Sequence, residues 1–442
     1  MTLQADSIAD RVRTEEGAWA RYVRPDRVHR LLYTDPDVFA AEMTRVFGGR
    51  SWVYLAHESQ LPQPNSFLSV RMGVRPVLVT RDRDGALHAV FNRCSHRAAT
   101  VCREESGVAK SFQCPYHGWT FKNTGELVGT PWPKGYGPEF DKSELGLTRV
   151  TRVESYRGFV FGTLNPEAPS LTDWLGPAAP WLDYWIDRAP DGEVLVRSRA
   201  HRMGYRGNWK LAYDNAGDGY HPAFSHRSLL AVASRMGDSK DMAYFGRSPD
   251  EGPMRAYLLG HGHSVLDQRP NYEGPGDFWR NQRPQPGRER FEEHIRTTYA
   301  DDADTLLDLS VGSQINLSIF PNLLVIGNQI QVIEPLSVDR TQLTWHATTV
   351  GGVPDEVNTM RMRTQEDFPA FGEPDDQANF EEVQRGLAVT EVEWVMMNRG
   401  LAVDGWQQVG ADGVISTAIT DELHMRQYYA EWLRLMGEEG AA

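Results

Sequence analysis

Two short runs restrict what this chain can fold into more than anything else in it. Cys94-Ser95-His96 and Cys114-Pro115-Tyr116-His117 form the pattern C-x-H, 17 residues, C-x-x-H. Each run offers one thiolate and one imidazole from a short loop, so the surrounding chain has to hold two loops against each other. With Cys102 these are all 3 cysteines of the 442 residues. So few, so clustered, cannot make a disulfide framework, and in a reducing compartment such a cluster is more often metal-binding or catalytic.

A [2Fe-2S] centre of Rieske type takes two Cys on one iron and two His on the other, so two loops giving one of each can clasp it. Imidazole in place of thiolate removes negative charge and raises the potential to roughly -150 to +300 mV, which suits a carrier of single electrons. Structural zinc is the competing reading, since two Cys and two His also satisfy a tetrahedral ion. Zinc sites usually pair like ligands along the sequence, however, and the mixed pairing here favours iron and sulfur. Cys102 has no ligand partner at usable spacing and is expected to be buried as a small apolar residue.

From Trp52 to about Asn165 the chain runs in short β-branched or alternating stretches, PVLVTRD, ALHAVFN and GFVFGTLN, separated by Gly, Asp, Asn and Pro. That texture predicts a small all-β unit around the two loops. Ahead of it, TDPDVFAAEMTRVF (34–47) sets Phe39, Met43, Val46 and Phe47 at helical spacing behind Thr34 and Asp35, a packing helix with a start signal. Behind it, 170–185, 378–388 and 421–438 read as helices, the last with Met425, Tyr428, Trp432 and Met436 on one face. NLLVIGNQIQVIEPL (322–336) and LTWHATTVG (343–351) read as strands, and 234–300, rich in Gly, Pro, Asp, Arg and Tyr, reads as loop or insertion. Strands followed by long helices predict a second domain of α+β class.

A second constellation lies in GNWKLAYDNAGDGYHPAFSH (207–226), where His221 and His226 are five apart, with Asp218 three and Asn215 six before His221. Two imidazoles and one carboxylate make the facial triad that leaves positions on iron open for O2. Paired histidines are common without a metal; here an electron carrier upstream requires something that consumes electrons. Glu373-Pro374-Asp375-Asp376, just before ANFEEVQRG, offers carboxylates at an element boundary. Acidic helix-start capping is the plain alternative there, and spacing does not choose among the acids.

Several functions are excluded. A net charge of -14 with no Lys/Arg block argues against nucleic acid. No stretch approaches the roughly 18 to 20 apolar residues of a membrane span, and the start lacks a signal-peptide core, so the expected location is the cytoplasm. No G-x-G-x-x-G follows a strand, so NADH is expected to act indirectly, through a separate reductase.

WVYLAHESQLP, NRCSHRAA, CPYHGWTF, SYRGFVFGTLNP, NWKLAYDNAGDGYH with FSH, and EPDDQANFEEVQRG together resemble the large subunits of Rieske non-haem iron ring-hydroxylating dioxygenases over nearly the whole chain. The resemblance implies an α+β chain in which an all-β Rieske domain is inserted in a helix-grip, antiparallel-sheet catalytic domain. It divides the sequence into a helical segment 1–47 packing on the catalytic domain, a Rieske domain 48–165 and a catalytic domain 166–442. Cys94, His96, Cys114 and His117 would hold the cluster, and His221, His226 and Asp376 a mononuclear Fe(II), Asp375 competing with Asp376. Asp218 would bridge the iron to a cluster histidine of a neighbouring subunit, implying an α3 or α3β3 ring with a small β subunit.

Partners implied are O2, an aromatic substrate, and a reductase with or without a ferredoxin. Within the family the runs look most like the benzoate, toluate and anthranilate branch. The expectation is therefore hydroxylation of a monocyclic aromatic carboxylate to a cis-dihydrodiol or catechol, the rivals being a Rieske monooxygenase or demethylase and a dioxygenase of neutral or polycyclic arenes. Asn215, Phe224, Phe368 and Phe371 are candidate pocket residues. Gly372, where some relatives carry a bulky aromatic, is expected to enlarge the pocket.

Overall fold

The computed structural model describes residues 18–196, 198–228, 231, 252–282 and 286–437. They form two units, one from Met43–Trp174 and one from the described parts of Met1–Glu42 and Leu175–Glu439.

The first unit is built of strands β1 (Val53–His57), β2 (Ser66–Met72), β3 (Arg75–Arg81), β4 (Leu87–Phe91), β5 (Ser106–Val108), β6 (Ser111–Gln113), β7 (Thr120–Lys122), β8 (Leu127–Gly129), β9 (Arg152–Tyr156) and β10 (Phe159–Thr163). They pair as three antiparallel sheets in the orders β4-β3-β2-β5, β8-β7-β6 and β9-β10-β1. Phe67, Leu78, Val90, Phe112, Trp119, Phe121, Leu127 and Leu147 form one core, in which Cys94, Cys102 and Cys114 are also buried. The loop bearing Cys94 leaves β4, and the loop bearing Cys114 joins β6 to β7. Sheet hydrogen bonding thus fixes the base of both loops.

The second unit carries a nine-stranded antiparallel sheet of β11 (His201–Tyr205), β12 (Arg255–Leu258), β13 (Ser264–Asp267), β14 (Ile315–Ile319), β15 (Leu323–Ile326), β16 (Gln329–Ser337), β17 (Arg340–Ala347), β18 (Gln408–Val409) and β19 (Ile415–Ala418). Its order is β11-β17-β16-β15-β14-β13-β12-β19-β18. Helices α1 (Trp209–Ala216), α2 (Pro222–Ser225), α3 (Arg288–Tyr299), α4 (Ala303–Leu309), α5 (Asp355–Asp367), α6 (Glu373–Gly386) and α7 (Leu423–Gly437) accompany it. None of the described helices is long and apolar enough to cross a membrane.

Three expectations need correction. The run 234–300 is not simply a loop. Residues 232–251 and 283–285 lie outside the described residues, but β12 and β13 are inner strands of the sheet and α3 is a full helix. Ser264–Asp267 is buried at all four positions, so it lacks the alternation that marks a half-exposed strand. The acids at 373–376 do not precede a helix: they are its first turn, and α5 passes through a five-residue π-helical stretch, Phe368–Gly372, straight into α6. The buried face of α7 is His424, Tyr428, Tyr429, Glu431, Trp432, Leu435 and Met436; it keeps Tyr428, Trp432 and Met436 of the predicted stripe and has His424 in place of Met425.

Candidate metal centres and their surroundings

The two cysteine loops share one backbone design. The Cys94 N–H donates to the Ala99 carbonyl (2.8 Å) and its carbonyl accepts from the Ala98 N–H (3.0 Å); the Cys114 N–H donates to the Trp119 carbonyl (2.7 Å) and its carbonyl accepts from the Gly118 N–H (3.0 Å). The fourth residue after each Cys is left-handed, Ala98 at φ 61° and Gly118 at φ 72°. Such a turn closes each loop sharply, and Ala98 carries the strain a side chain meets there.

Like groups meet in space although unlike groups neighbour each other in sequence. Cys94 and Cys114 lie side by side; burial, and secondarily the neighbouring Cys114 thiol, raise the Cys94 pKa against the backbone N–H groups that lower it. The His96 and His117 rings meet edge to face at 4.6 Å, and His96 stacks on Trp119 at 4.7 Å and 11°. The Nδ1 atoms of both histidines are buried without a hydrogen-bond partner. Two thiols on one side and two unsatisfied ring nitrogens on the other suit a two-iron cluster whose irons take unlike ligands. Cys102 is 8 % exposed and is fixed by its N–H to the Asn92 side-chain oxygen (2.9 Å).

The second constellation converges on a point. Among the described residues, His221, His226 and Asp376 are the one group of three or more His, Cys, Asp or Glu whose ligand atoms lie within 4.8 Å of one another. Asp376 Oδ1 stands 3.5 Å from His221 Nε2 and 3.4 Å from His226 Nε2. It is buried and receives no hydrogen bond. Donors bound at roughly 2.0–2.2 Å to one ion would stand about 3 Å apart, so these spacings need little adjustment to share a metal.

The opposite ring nitrogens are faced by other carboxylates. His221 Nδ1 lies 3.4 Å from Asp218 Oδ2, and His226 Nδ1 lies 3.5 Å from Asp375 Oδ2. Carboxylates placed there hold the proton on Nδ1 and leave the Nε2 lone pair for a metal. Asp375 also accepts from the Ser228 hydroxyl (3.3 Å). The two aspartates of the acidic pair therefore point at different edges of the histidines, only Asp376 facing both Nε2 atoms.

Burial raises the Asp376 pKa, although His221, His226 and the Asn215 side chain pull it down. Burial lowers that of His221, but the close approach of Asp218 and the charges of Asp218 and Asp376 outweigh it and leave it raised. Asp218 moves the other way: burial raises it, while His221 and the Tyr220 N–H, which donates to Oδ1 at 2.6 Å, bring it below the usual range.

Of the pocket candidates, Asn215 lies near Asp376, as its pull on that carboxyl shows. Phe368 packs edge-on to His226 (5.9 Å) and against Trp345 (5.7 Å). Phe224 is 65 % exposed and rests on Tyr220, so it lines no buried wall among the described residues. Phe371 lies within the π-helical stretch, but its side chain is outside the described residues. Gly372 does not open space. A Cβ there would sit 2.5 Å from the Phe368 ring, which already fills the place.

Sequence reasoning named Glu373 among the acids without giving it a role, and missed His424. Glu373 is buried, accepts from Gln331 and Gln377, and is pushed up to about 8 by burial and by the charge of Asp376. The acidic run had drawn notice to its neighbours, whereas nothing in DELHMRQYY marked out His424.

Comparison with known proteins matches a family to each of the two stretches of chain that carry these groups. Residues 51–154 match the family described as Rieske [2Fe-2S] domain, and residues 193–438 match the family described as ring hydroxylating alpha subunit (catalytic domain). The chain is 34% identical over 377 residues to toluate 1,2-dioxygenase subunit alpha of Pseudomonas putida, covering 82% of this chain and 79% of that one. It is 31% identical over 436 residues to anthranilate 1,2-dioxygenase large subunit of Acinetobacter baylyi, covering 93% and 89%. Naphthalene 1,2-dioxygenase with indole bound in the active site superposes with a TM-score of 0.78 at 25% identity over 99% of this chain and 96% of that chain. The chain belongs to the family of ring-hydroxylating oxygenase alpha subunits, in which a Rieske [2Fe-2S] domain accompanies a catalytic non-haem iron domain.

Proposed function

We propose that this alpha subunit hydroxylates a monocyclic aromatic carboxylate, giving a cis-dihydrodiol, or a catechol where the ring loses CO2 and a substituent. The observation that carries the oxygenase part of the reading is the convergence of His221 Nε2, His226 Nε2 and the donorless, buried Asp376 Oδ1. Iron held by these three would activate O2 at its open positions, and a cluster held by Cys94, Cys114, His96 and His117 would supply electrons one at a time. Asp218 and Asp375 orient the two imidazoles. Asp218 is also assigned the bridge to a cluster histidine of a neighbouring subunit in an α3 or α3β3 ring.

Phe368, held against His226 and Trp345, presents an aromatic wall beside the triad, with Asn215 near Asp376. The substrate class rests on the relatives, whose names speak of toluate and anthranilate. Electrons come from NADH through a separate reductase, with or without a ferredoxin.

Metal analysis of the purified chain should find about three irons and two acid-labile sulfides. Benzoates, aminobenzoates, salicylates and unsubstituted arenes are then screened for coupled NADH use under labelled O2. Two labelled atoms in a benzoate-derived product support the proposal. A single labelled atom means a monooxygenase or demethylase, and turnover of neutral arenes alone removes the carboxylate assignment.

A further inference from the structure

We infer that His424 is a positioning residue that sets where Asp218 stands and, through it, how His221 is held; this rests on the role given to Asp218 above. Asp218 occupies Gly217-Asp218-Gly219, directly after the last turn of α1. Both glycines serve close approach. A Cβ on Gly217 would lie 2.2 Å from the His424 ring, and one on Gly219 would lie 2.4 Å from the Ile419 carbonyl oxygen. The Gly219 N–H donates to that same carbonyl at 3.2 Å. The first turn of α7 and the chain leading into it therefore flank Asp218 on both sides.

His424 is 1 % exposed and uses both ring nitrogens. Nε2 lies 2.9 Å from the Tyr213 carbonyl oxygen, and Nδ1 lies 2.6 Å from Ser264 Oγ. A carbonyl can only accept, so Nε2 carries the proton and Nδ1 accepts from the Ser264 hydroxyl. Tyr213 belongs to the last turn of α1, whose carbonyls lack partners within the helix. His424 thus caps the helix from which the Asp218 turn hangs, and its ring stacks on Tyr213 at 5.5 Å and 29°. Burial holds the imidazole neutral, with a pKa of about 4, as this bonding pattern requires.

His424→Phe keeps a ring against Gly217 and removes both hydrogen bonds. His424→Gln retains a donor for the Tyr213 carbonyl, and Gly217→Ala presses on the ring from the opposite side. The full chain, loaded with cluster and iron and reduced with dithionite, is mixed with O2 and the best substrate of the panel while re-oxidation of the cluster is followed by absorbance. His424→Phe and Gly217→Ala are expected to slow re-oxidation on the order of tenfold, as for other residues that orient metal ligands. KM and iron content should stay unchanged, and His424→Gln should regain most of the rate. Asp218→Asn is measured alongside: a wild-type rate there overturns the role of Asp218 itself. A slow Asp218→Asn beside a wild-type rate in Gly217→Ala and in folded His424→Phe overturns the role of His424, as does loss of iron in place of slowed transfer. If His424→Phe does not fold, Gly217→Ala decides.

Discussion

Asp375 and Asp376 are adjacent in the chain yet take opposite edges of His226, one facing Nδ1 and the other Nε2. Asp376→Asn is therefore expected to lower iron from about three per chain to about two with the cluster absorbance intact, checked by metal analysis and visible spectroscopy. Protons should compete with that iron, because the pKa values of His221 and Asp376 are both raised and each group must be deprotonated to bind. Iron retained after dialysis should be lower at pH 6 than at pH 8; the opposite order would refute the assignment. Glu373 gives a separate pH signal. Its pKa is raised from 4.5 to about 8 in the folded chain, so its contribution to stability is complete below about 4.5 and is lost as pH rises through about 8. Urea unfolding of Glu373→Gln should show a shallower loss of stability over that window than the wild type.

α1 leads into the turn that bears His221 and His226, α6 carries Asp376, and each has a visible reason for its position. In α1, Lys210 is wholly buried and donates to Glu42 at 2.6 Å, while the Trp209 and Trp432 indoles donate to the same carboxylate at 2.9 and 2.8 Å. Removing one member of a buried pair leaves an uncompensated charge, so Lys210→Met should destabilise by about 3–5 kcal/mol in chemical unfolding. Between α5 and α6 the π-helical stretch Phe368–Gly372 inserts an extra residue per turn, a distortion frequent at functional sites. Gly372→Ala would collide with the Phe368 ring and turn it from His226 and Trp345. The expected result is a several-fold higher KM or altered regiochemistry with iron retained, read by product analysis.

For the whole molecule, the bridge proposed between subunits has a consequence that a single chain cannot show. Chains lacking the cluster, Cys114→Ser, and chains lacking the iron, Asp376→Asn, should each be inactive alone. Co-expressed, they should regain a fraction of wild-type activity if, as proposed, a cluster in one chain serves iron in the next. Activity no higher than that of either parent would refute the transfer route through Asp218.

The residues themselves declared the chemistry. C-x-H and C-x-x-H name two thiols and two imidazoles whatever the fold, and alternating β-branched runs bounded by turn residues identify the strands around them, because ligand type and backbone preference are local properties. What stayed hidden was set by distant chain. Asp376 was separated from Asp375 only when α6 presented one carboxyl to both Nε2 atoms. Gly372 was read as open space, whereas Phe368, four residues earlier, covers it through the π-helical turn. β13 escaped detection because a strand buried at every position loses the alternation that reveals a strand, and β12, four residues long, is too short for its alternation to stand out. His424 acquired its place only when α7 laid it against Gly217, 207 positions away in sequence. Such placements depend on close packing between elements, which no local pattern encodes.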